Sequence, residues 1–303
     1  MAAPAIVASL RRRAIIASAA VTLAGCTIVP DVDHDGADAP RAQPLARIPQ
    51  VAWVFSSGGP RGFVHVGVLK ALDELGLTPN LIVGASVGAL VGCLRASGVP
   101  GAEIETLALE LQPTHMARLA IWSDQRFSGA PVADLVHRYS RQRLLEDMPV
   151  SMACIATRQR DGSVIAFTAG DAGIAVQASS AIEGQFTPVR IRGEPHVDAD
   201  WFAPLPVRLA RALGARRVLA VDASVHIERA PPGAERYRDG DLRKRALVQP
   251  DAQQADLLLH PDFGYWVSFS RDFRERAIGA GYRATMEQAA RLRELHAITP
   301  HAA

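Results

Sequence analysis

A serine between small residues, Gly84-Ala85-Ser86-Val87-Gly88, follows the apolar run Leu81-Ile82-Val83 and precedes a helical pattern. Gly-x-Ser-x-Gly between a strand and a helix is the spacing of a tight turn that lifts one hydroxyl clear of the backbone. Glycine suits positions 84 and 88 because such a turn leaves little room for a Cβ and can demand positive φ. A helix that begins at the serine directs its free N–H groups and its dipole toward an oxygen acquiring negative charge, as acyl transfer requires. Five such residues also occur in loops without chemistry, so the rest of the chain has to supply an oxyanion hole and a base.

A glycine-rich loop, Ser57-Gly58-Gly59-Pro60-Arg61-Gly62, lies one strand earlier. Consecutive glycines let backbone N–H groups turn toward a common point, where they can stabilise the oxyanion of a tetrahedral intermediate. A bound phosphate is the competing reading. The run misfits the Gly-x-Gly-x-x-Gly dinucleotide fingerprint, and no Gly-Lys-Ser/Thr of a triphosphate loop is present.

Both loops need elements to hold them. Residues 51–56 and 81–83 read as continuous apolar strands, and residues 63–75 and 87–96 as helices, the second stopped by Gly98. Strand–helix–strand–helix with unbroken apolar strands predicts a parallel sheet covered on both faces, with the two loops opening at the same edge. Farther on, residues 152–156 and 164–168 flank the hairpin turn Asp161-Gly162. Residues 171–182 read as a helix, 218–221 as a buried strand, 228–245 as a charged surface excursion and 267–295 as one long amphipathic helix.

Four blocks then occur in a recognisable order. Residues 56–72, with Ser57-Gly58-Gly59-Pro60-Arg61-Gly62, are followed by Gly84–Gly92, by Ala178-Ser179-Ser180-Ala181-Ile182-Glu183-Gly184 and by Val197-Asp198-Ala199-Asp200 with Pro204-Leu205-Pro206. Together they resemble the motifs of bacterial patatin-like phospholipases. The resemblance implies an α/β fold, a three-layer α/β/α sandwich with a mainly parallel central sheet. It implies hydrolysis of lipid acyl esters, of the phospholipase A or lysophospholipase kind, through an acyl-enzyme. Ser86 would be the nucleophile and Asp198 its base, a Ser-Asp dyad with no histidine. Backbone N–H groups of Gly58, Gly59 and Arg61 would form the oxyanion hole, and no metal or cofactor is implied. Two positions depart from the pattern: Ser57 stands for a usual glycine, and Ala199 for the glycine after the acid. If position 199 required positive φ, alanine there would cost roughly 1 kcal/mol or more. Asp200 likewise fills a usual glycine position as a loop or hydrogen-bonding residue.

Other readings stay open beside this one. Asp222, ending a buried strand, and His260 would complete an α/β-hydrolase-type triad with Ser86. A lipoprotein that binds lipid without turnover is the alternative from outside the enzymes. Arg61 suits either a phosphate headgroup or a salt bridge in its own loop, and His65 a packed position. Met116, Trp122 and Phe127 suit either a lipid-contacting flap or core.

At the N-terminus, Arg11-Arg12-Arg13 precede an apolar run too short to span a membrane, which ends in Leu23-Ala24-Gly25-Cys26. Leu-Ala-Gly-Cys resembles the bacterial lipobox, which implies lipidation of Cys26 and a membrane anchor. With Thr27 next, the periplasmic face of the outer membrane is the expected location. Residues 1–25 then form a signal peptide, 26–49 a flexible proline- and aspartate-rich tether, and 50–303 the hydrolase domain. The chain is 49% hydrophobic and 21% charged, with a net charge of +2. That balance, without zinc-ligand spacing, excludes a nucleic-acid binder. Cys93 and Cys154 lie in apolar segments and read as buried free thiols outside any disulfide framework.

Overall fold

The computed structural model describes residues 32–119 and 127–297. The expectations about Cys26 and the segment before it, and about Trp122, lie outside the described residues. Four central strands carry the fold: β2 (Val51–Phe55), β3 (Leu81–Ala85), β6 (Ser151–Arg158) and β10 (Arg217–Val221). Every residue of β2 and β3 is buried, as expected for strands covered on both faces. Their side chains alternate between two cores. Trp53, Phe55 and Ile82 enter one, and Ala52, Val54, Leu81 and Val83 the other. The result is the anticipated three-layer arrangement.

The nine-stranded sheet runs β1 (Asp33–His34), β8 (Val189–Ile191), β9 (Glu194–Asp198), β6, β3, β2, β10 and β11 (Leu257–Leu259), with β7 (Val164–Phe167) on β6. Pairs from β6 through β3, β2 and β10 to β11 are parallel, whereas β7 and β9 run antiparallel to β6. The first core is covered by α1 (Phe63–Glu74), α2 (Val87–Ala96), α3 (Gly101–Glu110), α4 (Ala130–Tyr139), α5 (Ala172–Ser179) and, from the far end of the chain, α8 (Arg271–Glu287) and α9 (Ala289–His296). α6 (Val207–Ala212) and α7 (Arg238–Ala252) cover the second. A short antiparallel pair, β4 (Arg118–Leu119) with β5 (Phe127–Ser128), stands apart from the sheet.

Strand β6 acts as a ruler for the site. Its residues Cys154 and Ile155 pair with both β3 and β7, so those two strands lie on opposite edges. Ala156 and Thr157 pair with both β7 and β9 (Glu194–Asp198), so β9 shares the edge of β3. On that edge Ile155 faces Ala85, and the next residue, Ala156, faces Asp198. The register therefore sets Asp198 against the end of β3, where Ser86 begins.

Several expectations change. β8 (Val189–Ile191) and β9 are strands that hydropathy alone did not mark, because each is short and polar in part. The long C-terminal helix is two helices separated at Gln288. The charged excursion, expected over 228–245, runs from Arg238 into α7, a helix that continues to Ala252 with Pro250 near its end. From Val32 onward the expected flexible tether is packed on the domain. Asp33–His34 forms β1 on β8, Ala39 is buried and Arg41 bridges to Ala169. Cys93 and Cys154 are buried free thiols, as expected. Among the described residues, no helix is long and apolar enough to cross a membrane.

Helices α1 and α8 approach backbone to backbone. A Cβ added at Gly67 would lie 1.8 Å from the Ile278 carbonyl oxygen, and one at Gly281 would lie 2.1 Å from that of Val64. The C-terminal helix is thereby locked onto the helix that follows the glycine loop.

Candidate active site

β3 ends at Ala85 and the chain turns at Ser86, the N-cap of α2, with φ 55° and ψ −124°. A serine in that region stores about 1–3 kcal/mol of strain and persists only where its surroundings hold it. The Ser86 N–H donates to Ser179 Oγ at 2.9 Å, and the Ser179 hydroxyl donates onward to the Ile155 carbonyl at 2.6 Å. Ala89 and Leu90 N–H donate to the Ser86 carbonyl. Sequence reasoning gives Ser179 no role; only its place in the third block marks it. Glycines 84 and 88 are required for close approach. A Cβ at Gly84 would meet Gly88 O at 2.4 Å, and one at Gly88 would meet Phe55 O at 2.4 Å. The left-handed backbone falls on the serine itself.

Gly58 and Gly59 border the same cavity as Ser86, and their N–H groups make no hydrogen bond among the described residues. Arg61 differs from expectation. Its N–H already donates to Gly58 O at 3.1 Å, which closes the 3-10 turn Gly59–Gly62, so it is not a third free donor. Its guanidinium donates to Tyr265 O and lies 5.8 Å from the Phe263 and Tyr265 ring centres. Gly62 lets the two loops touch, since a Cβ there would meet Val87 Cγ1 at 2.3 Å.

Asp198 is 3% exposed. Its Oδ1 accepts the Asp200 N–H at 2.9 Å, whereas Oδ2 is buried without a hydrogen-bond partner among the described residues. Burial pushes this carboxyl up to about 7; Asp200 pushes the same way, and the facing Ser86 hydroxyl, the Asp200 N–H and Lys244 oppose. The Ser86 hydroxyl thus faces the carboxylate without completing a hydrogen bond to Oδ2. A base near neutrality with a spare lone pair beside a hydroxyl is matched to proton transfer at physiological pH. Ala199 has no strain to bear, because Ser86 and Arg192 are the only non-glycine residues with positive φ among the described residues. Its methyl group is buried in the second core.

Two cavities meet here. A polar one of about 310 Å³ is bordered by Gly58, Gly59, Ser86, Asp198, Asp200 and Lys244. An apolar one of about 330 Å³ is walled by Val66, Val87, Leu90, Leu94, Ile104 and Phe269. Gly59, Ile182 and Gln185 border both, so the junction lies beside the free glycine N–H groups. Met116 and Phe127, read as a flap or core, line the apolar cavity.

The family profile described as patatin-like phospholipase matches residues 53–211, more than half of the chain. The chain belongs to that family. Among patatin-like relatives, the patatin-like phospholipase domain-containing protein 6 of Mus musculus is 28% identical over 182 residues, 57% of this chain and 13% of its own. An uncharacterised NTE family protein of Mycobacterium bovis is 31% identical over 193 residues, 62% of this chain and 52% of its own. The chain therefore spans about half the length, or less, of these curated relatives. Among solved structures, VipD of Legionella pneumophila shares the fold, with a TM-score of 0.57 at 13% identity over 89% of this chain and 73% of that one.

The residues of the alternative triad sit elsewhere in this patatin-like site. Asp222 accepts the Ser224 N–H at 2.8 Å and its hydroxyl at 2.9 Å. His260 Nε2 lies 3.8 Å from Asp222 and 3.0 Å from Ser224 O, and the ring stacks on His226. Neither residue hydrogen-bonds Ser86 among the described residues. His65 is fully buried, and burial pushes it down to about 4, so its neutral ring donates through Nε2 to Ser56 O at 2.9 Å. It is a packed histidine.

Proposed function

We propose that the protein is a serine acyl hydrolase that cleaves lipid acyl esters, of the phospholipase A or lysophospholipase kind, with Ser86 as nucleophile and Asp198 as base. Asp198 Oδ2 takes the proton of Ser86 Oγ as that oxygen attacks the ester carbonyl. The carbonyl oxygen, now negative, is met by the Gly58 and Gly59 N–H groups. Asp198 passes the proton to the leaving alkoxide and an acyl-enzyme remains. Water then enters, gives its proton to Asp198 and its oxygen to the acyl carbon, and Ser86 is released with its proton.

The observation that carries this reading is the buried Asp198 carboxyl, its Oδ2 without a partner among the described residues, set by the β6 register against the end of β3 where Ser86 begins. The two cavities support a lipid substrate: the apolar one suits an acyl chain, and the polar one its alcohol part. Exposed Trp201 and Phe269 stand at the polar and apolar cavities respectively, which suits approach to a lipid surface. The name of one relative from Mycosarcoma maydis, lysophospholipase NTE1, agrees in kind.

The test is labelling with a fluorophosphonate, which reacts with an activated serine. Wild type should label, and Ser86→Ala and Asp198→Asn should not. An unlabelled wild type sinks the enzyme and leaves a lipid-binding protein; label retained on Ser86→Ala sinks the nucleophile. Phospholipid and lysophospholipid with the active protein then identify the substrate by the fatty acid released.

We further propose that Cys26 is lipidated and anchors the protein at the periplasmic face of the outer membrane. The Leu23-Ala24-Gly25-Cys26 sequence supports this. Radiolabelled palmitate should enter the wild type and not Cys26→Ala, and the variant should leave the membrane fraction.

A further inference from the structure

Three side chains from distant parts of the chain converge beside Asp198. Lys244 of α7 donates from Nζ to Asp200 Oδ1 at 2.6 Å and to Ser57 Oγ at 3.2 Å. The Ser57 hydroxyl donates to the same Asp200 oxygen, and the Ser57 N–H donates to Pro204 O at 2.8 Å. Ser57 directly precedes Gly58 of the glycine loop, and Asp200 supplies the N–H that holds Asp198 Oδ1. The cluster thus joins the oxyanion loop, the acid loop and α7. The choice of cation is itself informative. The chain contains 31 arginines and only two lysines, the other being Lys70, paired with Glu105. Lysine brings a compact ammonium whose donors can reach a carboxylate and a hydroxyl in a confined space.

We propose that Lys244 is a positioning residue for the base: its ammonium neutralises Asp200, which leaves the neighbouring Asp198 free to ionise, and the Ser57–Asp200–Lys244 cluster holds the glycine loop against the acid loop. This rests on the assignment of Asp198 as base. An unneutralised carboxylate two residues from Asp198 would oppose its ionisation, as in any pair of acids sharing a site. The charges of Asp200 and Lys244 act on Asp198 in opposite senses, as this pairing requires. The groups facing Asp198 are Ser86 from the start of α2, Asp200 from its own loop and Lys244 from α7. The other charged groups around the cavity have partners elsewhere. Arg245 pairs with Glu228, Arg61 donates to Tyr265 O, Asp241 accepts the Tyr265 hydroxyl and Glu183 accepts from Gln159.

The test is the pH dependence of kcat/KM on a soluble short-chain aryl ester. Lys244→Met should move the acid limb up by about one pH unit. Its rate relative to wild type then falls about fivefold at pH 7 and climbs back by a similar factor toward pH 9. Asp200→Asn should move the limb down, and the double variant should return it close to wild type. Lys244→Arg, which keeps the charge but not the compact ammonium, should leave the limb in place while lowering the rate alike at every pH. A loss in Lys244→Met of equal size at every pH, or no shift in either single variant, overturns the proposal. If Lys244→Met fails to fold, the downward shift of Asp200→Asn carries the test. Failure of the underlying reading looks different: Asp198→Asn would then keep the wild-type profile.

Discussion

Replacing Asp198 by asparagine should make the protein more stable at neutral pH while abolishing its activity. The carboxyl is buried, and its pKa rises from the usual 3.8 to about 7, chiefly because burial penalises the charge. An acid whose pKa is raised by folding binds its proton more tightly in the native state than in the unfolded chain. Its contribution therefore turns unfavourable as pH climbs from 3.8 toward 7, the reverse of a salt-bridged carboxylate. A rise of roughly three units corresponds to about 4 kcal/mol once the pH exceeds the folded value. At pH 5 less than about 2 kcal/mol of that cost has developed. Asparagine resembles the protonated acid, keeps an oxygen for the Asp200 N–H and cannot ionise. Urea unfolding followed by circular dichroism should show Asp198→Asn more stable than wild type by about 4 kcal/mol at pH 8 and by less than half as much at pH 5. An equal gap at both pH values, or a less stable variant at pH 8, would refute the assignment of a strained, buried charge to this site.

Gly67→Ala should cost about 3 kcal/mol, read from thermal unfolding, because its Cβ would sit 1.8 Å from the Ile278 carbonyl oxygen and force α1 from α8. Met116→Trp narrows the apolar cavity and should lower kcat/KM for long-chain esters by about tenfold relative to short ones; equal loss on both would place the acyl chain elsewhere. His260→Ala should retain near wild-type activity in an ester assay, since this ring is held by Ser224 O and His226 rather than by Ser86.

What the sequence disclosed depended on distance along the chain. The serine turn, the glycine loop and the acid each sit in a few consecutive residues whose types follow from local sterics or hydrogen bonding. The register that unites them does not, because it is set by β6 pairing with three strands, and β9 is a strand whose Glu194-Pro195-His196 carries little apolar signal. Ser57 and Asp200 look like isolated departures from a glycine pattern until Lys244, 44 residues past Asp200, joins them. Nothing near Lys244 announces this, since the stretch Arg238–Arg245 is charged and reads as surface. The φ demand was expected at a glycine and is met by the serine, because the glycines are occupied in letting backbones approach.

The locking of α8 onto α1 bears on where this chain can be cut or recombined. The stretch matched to the family stops at residue 211, inside α6. Strand β10, paired to β2 from Arg217↔Val51 to Val221↔Phe55, lies beyond it, and so does Gly281, seated against Val64. A fragment ending at residue 211 would bare the hydrophobic edge of β2 and the packing side of α1, the kind of surface through which chains aggregate. The portable unit for chimeras between relatives therefore extends to His296 of α9, whose Nε2 accepts the indole N–H of the buried Trp53 at 2.9 Å. Crossover points belong within the loops between strands, not at the boundary that sequence similarity suggests.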